Sequence, residues 1–329
     1  FIKIGLQKYT GKIKYPIFAQ KLIRMSLLVA GTVAFDAIET PFGKTDKVVG
    51  GSGLYISLAS SFFHEPVNLV SIVGDDFPDI MLKNLRKRGV NTEGVEVKKG
   101  KQSFFWSGKY HMDMNTRDTL ITDLNVLTEF KPDLPKTYRN SDFVMLGNID
   151  PALQIDIIRQ MKKAPKLIAM DTMNYWMENA RKELQKAMKL VDMLIINDEE
   201  ARQLAGEYSL AKAARNILKM GIRFLVIKKG EHGALLFAGN EVFFAPALPM
   251  EDVFDPTGAG DVFAGGFIGY ISKTKNLSFT NMKRAIIYGS ALASFCVEKF
   301  GPQRLLEIKE RQIQKRVSAF VDLVKFRIN

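Results

Sequence analysis

Met193-Leu194-Ile195-Ile196-Asn197-Asp198-Glu199-Glu200-Ala201 opens a stretch that closes, some thirty residues on, with Phe224-Leu225-Val226-Ile227-Lys228-Lys229-Gly230. Each end holds a short, β-branched apolar run that reads as a buried strand. Between them, Ala201–Ala205 and Leu210–Met220 carry helical spacing. Strand, helix and strand in that order give a parallel pair joined by a crossover. The rhythm recurs along the chain. Leu27–Ala30, Val67–Val73, Phe143–Leu146 and Leu167–Met170 read as further strands, and Gly53–Phe63, Ile80–Arg88, Pro151–Lys162 and Ala180–Leu190 as helices. Continuous apolar strands are buried on both faces, so the expected fold is α/β: three layers, α/β/α, around a mainly parallel central sheet.

Residues 101–127 break the pattern. Gln102-Ser103-Phe104-Phe105-Trp106-Ser107-Gly108-Lys109-Tyr110-His111 is followed by Met112-Asp113-Met114-Asn115-Thr116-Arg117-Asp118-Thr119-Leu120-Ile121-Thr122. Aromatic and threonine-rich alternation predicts antiparallel strands outside the main sheet. Such a flap is either a lid or an ordinary peripheral hairpin, and pattern alone does not separate the two. The chain shows no internal repeat and no low-complexity tract.

Composition narrows the function classes. The chain has 329 residues, 47% of them hydrophobic and 25% charged, which suits a folded core and excludes a disordered chain. No window approaches 18 uncharged apolar residues, so no membrane span is expected. The single cysteine, Cys296, reads as a small buried hydrophobe in a reducing, cytoplasmic compartment. The net charge of +12 is concentrated at the ends. Lys3, Lys8, Lys12, Lys14, Lys21 and Arg24 stand in residues 1–24 without an acid, and Arg304, Lys309, Arg311, Lys315, Arg316, Lys325 and Arg327 lie near the C-terminus. Basic ends are usually solvated and a basic balance suits an anionic ligand, so no nucleic-acid partner is expected. Residues 1–24 read as a basic extension, either upstream sequence before a natural start at Met25 or a targeting segment, and 25–329 as the folded domain.

The chemistry points to Asp255-Pro256-Thr257-Gly258-Ala259-Gly260-Asp261-Val262-Phe263-Ala264-Gly265-Gly266-Phe267. Small residues at 258–260 let the backbone approach a ligand. The helix that follows presents N–H groups without intrahelical partners and a partial positive charge. Asp261, held ionised there, can take a proton from an attacking hydroxyl while the amides hold a transferring phosphoryl group. The plainer reading is a glycine turn with Asp261 as a helix cap. Other nucleotide motifs fail. Gly43-Lys44-Thr45 imitates the end of a P-loop, but its first glycine falls on Ile38. Gly51-x-Gly53-x-x-Ile56 and Gly258-x-Gly260-x-x-Phe263 lack the third glycine of a dinucleotide fingerprint. His64, His111 and His232 lie far apart and form neither triad nor metal motif.

The stretch 255–261 with Gly265-Gly266 resembles the C-terminal signature of the ribokinase (PfkB) family of sugar and nucleoside kinases. The resemblance runs from Leu27 to about Gly301, in order: Gly31-Thr32-Val33-Ala34-Phe35-Asp36, Gly50-Gly51-Ser52-Gly53, Val73-Gly74-Asp75-Asp76-Phe77, Asn197-Asp198-Glu199-Glu200 and Ile227-Lys228-Lys229-Gly230-Glu231-His232-Gly233. It implies a ribokinase-like fold, an ATP-dependent phosphotransferase with an alcohol acceptor, and ATP and Mg²⁺ as cofactors. By position, Asp261 would be the base and Gly258, Ala259 and Gly260 the anion hole. Asn197 and Glu200 would organise Mg²⁺-bound water and phosphate, although such a pair is also an ordinary capping arrangement. Lys228, Gly230 and Ser290 would line the ATP site. Asp255, Thr257 and Gly301 resemble positions that hold a monovalent cation, K⁺ being the natural candidate. Asp36, Gly50 and Gly51 would bind the acceptor, under a lid of residues 35–47 and 101–126.

Several positions depart from the family pattern. Tyr55 stands where an asparagine is common, Asn148 where a substrate-facing acid is expected, and Gly289-Ser290 where Asn or His meets adenine. Ribose itself is therefore not the expected acceptor. Asn115-Thr116-Arg117-Asp118-Thr119 and Asp171-Thr172-Met173-Asn174-Tyr175-Trp176 resemble a prokaryotic subgroup, which makes Arg117, Asn148, Asp171 and Asn174 the candidate acceptor contacts. The alternative function is a ligand-binding regulator that kept the fold without catalysis. The aromatic lid, with Phe104-Phe105-Trp106, predicts a homodimer paired edge to edge.

Overall fold

A computed structural model describes residues 26–325; the basic segment 1–24 and Met25 lie outside the described residues. The strands are β1 (Leu27–Ala30), β2 (Ala34–Thr40), β3 (Gly43–Gly50), β4 (Val67–Gly74), β5 (Val90–Lys98), β6 (Phe105–Tyr110) and β7 (Arg117–Asp123). They continue as β8 (Phe143–Leu146), β9 (Leu167–Met170), β10 (Met193–Asn197), β11 (Phe224–Lys228), β12 (Ala234–Ala238) and β13 (Glu241–Ala245). The helices used below are α1 (Ser52–Ser60), α2 (Asp79–Lys87), α3 (Pro151–Arg159), α4 (Asn174–Asn179), α5 (Arg181–Met188), α6 (Asp198–Ala205), α7 (Leu210–Lys219), α8 (Ala259–Thr274) and α9 (Phe279–Cys296).

Nine strands form one sheet in the order β13-β12-β11-β10-β9-β8-β1-β4-β5. It is parallel from β11 to β5, and an antiparallel hairpin (β12, β13) closes one edge. Alternation divides the buried residues between two layers. Leu27, Val29, Phe143, Met145, Met193, Ile195 and Val226 face the cluster that includes residues of α1, α2, α8 and α9. Leu28, Ala30, Val144, Leu146, Leu194, Ile196 and Ile227 face the one with residues of α3, α5 and α7. None of the helices is long and apolar enough to cross a membrane among the described residues.

Topology places the crevice. From β1 the chain moves outward through β4 to β5, then returns on the other side of β1 at β8 and proceeds to β11. The direction of winding reverses between β1 and β8. In an open α/β sheet, the loops diverge at such a switch point and leave a cleft beyond the carboxyl ends of the strands.

A second sheet, β3-β2-β6-β7, stands apart. The antiparallel β6–β7 hairpin matches the expectation for 101–127. β2 and β3 were not legible as strands, because Asp36, Glu39, Lys44, Asp46 and Lys47 hide the alternation; β2 also pairs parallel to β6, a non-local contact. The expected helix at 180–190 is α5, with Ala180 as its N-cap, and the short α4 directly before it was not expected.

The Gly-Asp-Asp turn joins the two sheets. Asp76 Oδ1 accepts the Ser103 N–H at 2.8 Å and its hydroxyl at 2.7 Å. The Ser103 hydroxyl in turn accepts the Gly74 N–H at 3.0 Å, so the end of β4 is tied to the segment leading into β6. Ser103 is buried, and Asp76→Ala would strand its N–H. The expected cost is about 1–3 kcal/mol, read as a drop of a few degrees in the thermal midpoint. A midpoint equal to that of the unaltered protein would show that water replaces the carboxylate.

Candidate active site

Five adjacent strand ends supply the cleft. Thr32 follows β1, Asn148 follows β8, Asp171 follows β9, Asn197 ends β10 and Lys228 ends β11. The β10–β11 register sets Asn197 beside Lys228. Helix α8 begins above them. Its N-cap, Gly258, has φ +77°, and a Cβ there would run into the Tyr55 ring, so glycine is required twice over. The Ala259 N–H already bonds to the Pro256 carbonyl at 3.1 Å. That leaves the N–H groups of Gly260 and Asp261, within the first turn, to face a ligand. Ala259, expected in the anion hole, thus has its N–H committed within the turn.

Asp261 is the third residue of α8, partly open to solvent. Burial of the carboxyl, with repulsion from Asp171, pushes its pKa up to about 7, against the pull of Lys228 and Arg117. Lys228 bridges the cluster. Its Nζ lies 2.9 Å from Asp171 Oδ2 and 3.1 Å from where a Cβ on Gly260 would stand. Burial works against its charge, but Asp171, Glu200 and Asp261 outweigh it and hold the ammonium above its usual range. An anion entering over Gly260 would meet this ammonium and the helix amides together.

Asn197 and Glu200 do form the capping box. Asn197 Oδ1 accepts the Glu200 N–H at 2.7 Å, and Glu200 Oε2 accepts the Asn197 N–H at 2.8 Å. Burial with Asp171 repulsion pushes the Glu200 carboxyl up to about 7. Among the described residues no three His, Cys, Asp or Glu side chains converge as a metal site. A divalent ion here would be shared between a carboxylate and the phosphates of a nucleotide, which is the usual habit of Mg²⁺.

Asp36, expected to bind the acceptor, is only 5% exposed. A Cβ on Gly50 would collide with its carboxyl, and one on Gly51 (φ +96°) would stand 2.5 Å from the Thr32 carbonyl, so the diglycine is what lets β3 close on Asp36. Burial, with Asp255 and Asp261 nearby, raises Asp36 to about 8, although the Gly51 N–H pulls it back. Asn148 stands at the cleft with its amide engaged by Trp176 and Met173. Arg117 is exposed at the start of β7, near enough to lower the Asp261 and Glu200 carboxyls. Asn174 is not brought into the cluster by any contact; it opens α4, exposed, and its Oδ1 accepts the Tyr175 N–H at 3.0 Å.

Asp255, Thr257 and Gly301 come together beneath α8. One Asp255 oxygen accepts the Thr257 N–H at 2.8 Å and the other the Gly301 N–H at 2.9 Å. Ser290 is half-buried in α9, one residue beyond Gly289, which packs on the Phe263 carbonyl. Gly230 opens the turn after β11, where a Cβ would strike Asn115 of the β6–β7 hairpin.

Three residues escaped the sequence reading. Tyr110, buried at the end of β6, accepts a hydrogen bond from the Thr257 hydroxyl at 3.2 Å, and burial takes its phenol to about 12. Tyr55 was noted only as a departure; its hydroxyl is buried without a partner among the described residues, and burial raises its pKa. Trp176 donates to Asn148. No local pattern marks them, because each acts across an element far away in sequence.

The pfkB family carbohydrate kinase profile matches residues 14–309. The chain belongs to that family. It is a phosphotransferase with an alcohol group as acceptor. The cytidine kinase of Thermococcus kodakarensis is 28% identical over 77% of this PfkB-family chain and 91% of its own length. The 2-dehydro-3-deoxygluconokinase of Thermoproteus tenax is 26% identical over 92% and 94%. Among solved structures, a putative ribokinase II from E. coli in complex with ATP and Mg²⁺ superposes with a TM-score of 0.73 at 18% identity, covering 91% of this chain and 99% of that one. That likeness confirms the ribokinase-like fold.

The buried carboxylates of this PfkB-family kinase have a consequence for stability. Asp36 ordinarily titrates at 3.8 and in the fold near 8. Between those values the folded protein keeps a proton that the unfolded chain has released, so stability from this group falls as pH rises through about 8. Asp36→Asn removes the charge. The thermal midpoint of the variant should exceed that of the unaltered protein at pH 9 by more than it does at pH 5. A pH-independent difference would contradict the burial of that charge.

Proposed function

We propose that this chain transfers the γ-phosphoryl group of MgATP to a hydroxyl of a sugar, sugar acid or nucleoside, with Asp261 as general base and the Gly258–Gly260 backbone as anion hole. The observation that carries the reading is the meeting of Asp261, the open N-terminus of α8 and the Lys228 ammonium at one point of the switch-point cleft. Asp261 takes the proton from the acceptor hydroxyl as the oxygen attacks. The Gly260 amide and Lys228 receive the charge that spreads over the transferring oxygens. Bound Mg²⁺ would neutralise the phosphates and draw on Glu200, with Asn197 fixing that residue's main chain.

The acceptor class follows from the cleft and from the relatives named for a nucleoside and a sugar acid. Asp36 and the Gly50–Gly51 backbone would hold acceptor hydroxyls, with Asn148 and Arg117 beside them. Gly230 and Ser290 would border the nucleotide. Asp255, Thr257 and Gly301 are the proposed seat of K⁺ beneath the anion hole, to be read as a dependence of turnover on that ion.

The small sheet serves as the lid in this reading. Tyr110 bonds to Thr257 beside the anion hole, and the hairpin tip meets the nucleotide turn at Gly230, two contacts that support closure over both ligands. β7 is a free edge with Leu120 and Ile121 exposed, which supports a homodimer through the lid. Cytoplasmic residence, where ATP is abundant, belongs to the same proposal.

Asp261→Asn should leave the fold intact and lower turnover by about 10²–10⁴. In the unaltered enzyme, turnover should rise with pH through about 7, since only the ionised carboxyl accepts a proton. The assay is phosphate transfer from ATP across a panel of sugars, sugar acids and nucleosides. Retention of near-normal turnover in the variant would overturn the assignment, and would favour another base.

A further inference from the structure

The two groups that grip Asn148 determine which way its amide faces. The Trp176 indole N–H donates to Asn148 Oδ1 at 2.8 Å, and Asn148 Nδ2 donates to Met173 Sδ at 2.9 Å. An indole can only donate, so the oxygen end of the amide must face Trp176 and the nitrogen end must face away from it. Thioether sulfur is a weak acceptor and takes one of the two Nδ2 protons. The other remains. Trp176 itself is held by Tyr175, whose ring meets it edge-on with centroids 4.9 Å apart. The main chain at 148 is anchored too, its carbonyl accepting from the Ser52 hydroxyl at 3.3 Å. Ser52 is the first residue of α1, directly after the diglycine that closes on Asp36. Asn148 therefore stands just beyond the end of β8, half-buried, with Thr32 beyond β1 on one side and Asp171 beyond β9 on the other.

We propose that Trp176 is a positioning residue that locks the Asn148 amide nitrogen towards the acceptor, so that this subsite recognises a carbonyl-type oxygen, the carboxylate of a sugar acid or the base carbonyl of a nucleoside. The inference rests on the kinase reading above and deepens it. A carboxylate at 148, as the family pattern leads one to expect, could only accept hydrogen bonds, from hydroxyl or amino donors of the ligand. An amide clamped with its oxygen turned away offers the opposite polarity, and an acceptor that brings only hydroxyls has no special claim on it. The geometry thus favours an oxygen that cannot donate.

The test uses three probes with ATP: cytidine, 2-dehydro-3-deoxygluconate and ribose, the last carrying hydroxyls without a carbonyl in its ring form. The unaltered enzyme should prefer cytidine or 2-dehydro-3-deoxygluconate to ribose by about tenfold or more in kcat/KM, and the better of the two names the source of the oxygen. Trp176→Phe keeps the ring and frees the amide. It should raise KM for the preferred probe about five- to tenfold with kcat and the ATP KM unchanged, and leave ribose unaffected. Asn148→Asp should cost more on the preferred probe, and adding Trp176→Phe to it should cost no more, because the indole acts through the amide. Additive losses, an equal loss on all three probes, or a preference for ribose would overturn the proposal. Should none of the three be phosphorylated, the lock is read in the ligand-free protein from the Asn148 side-chain ¹H–¹⁵N signals. These should sharpen into an ordered pair that Trp176→Phe mobilises, and signals unmoved by the substitution would refute the lock while leaving the kinase reading to the base variant.

Discussion

Helix α8 can present its first amides to the cleft because Gly265 and Gly269 let it sink onto α1. A Cβ at Gly265 would stand 2.5 Å from the Ile56 carbonyl, and one at Gly269 would stand 2.8 Å from the Ser60 Cα. The contact is polar as well as close, since the Ser60 hydroxyl donates to the Gly265 carbonyl at 2.9 Å. Helix α1 pays no attention to amphipathic design; all nine of its residues are buried, between the sheet and α8. The two helices begin at Gly51 and Gly258, both with positive φ, and Tyr55 of α1 fills the space that a side chain at 258 would need. Backbone proximity therefore fixes the acceptor diglycine and the anion cradle relative to each other. A side chain at either packing glycine would shift one half of the site against the other, and phosphoryl transfer tolerates little misplacement.

That placement forces like charges together. Asp36, Asp171, Glu200, Asp255 and Asp261 all lie within a region where Lys228 is the buried cation. Water no longer screens them, and Asp36, Glu200 and Asp261 move towards neutrality for the same reason, burial first and mutual repulsion second. A site of this kind is poorly optimised for the stability of the empty protein. It is well suited to a ligand that brings several negative charges with counter-ions and a hydroxyl whose proton must go somewhere. The ion pair of Lys228 with Asp171 is the internal substitute. It keeps the ammonium charged and aimed along the Gly260 face before any phosphate is present.

How much of this was readable in the residues follows from the range of each interaction. Runs such as Phe143–Leu146 and Leu167–Met170 matched their strands end to end, because a strand buried on both faces must be apolar throughout. β2 and β3 were not read as strands from pattern, since charged residues interrupt their alternation, and β2 takes one of its two partners some seventy residues on at β6. At the site, short spacings were legible. The Asn197–Glu200 pair was open to two readings, and the capping geometry is present whatever else the pair does. Asn174 is a candidate contact only through the resemblance of 171–176 to a family subgroup; in the fold it opens α4, and its Oδ1 accepts the Tyr175 N–H. Tyr110, meeting Thr257 across 147 positions, had no sequence signal that could have revealed it.

The cleft also separates two tasks by origin. In the proposed reading, the groups meeting phosphate come from β10, β11 and the start of α8, where backbone amides stand beside Lys228, Glu200 and Asp261. In the same reading, the groups on the acceptor side come from the loops after β1, β8 and β9 and from the small sheet. At Asn148 the Ser52 hydroxyl holds the main-chain carbonyl, so an acid and an amide there would differ in polarity with the same backbone anchor. What then needs fixing is the rotation of the amide, and that requires a neighbour with one-directional hydrogen bonding. Tryptophan is such a neighbour, and Trp176 of α4, bonded to Asn148 Oδ1, is placed to fix that rotation.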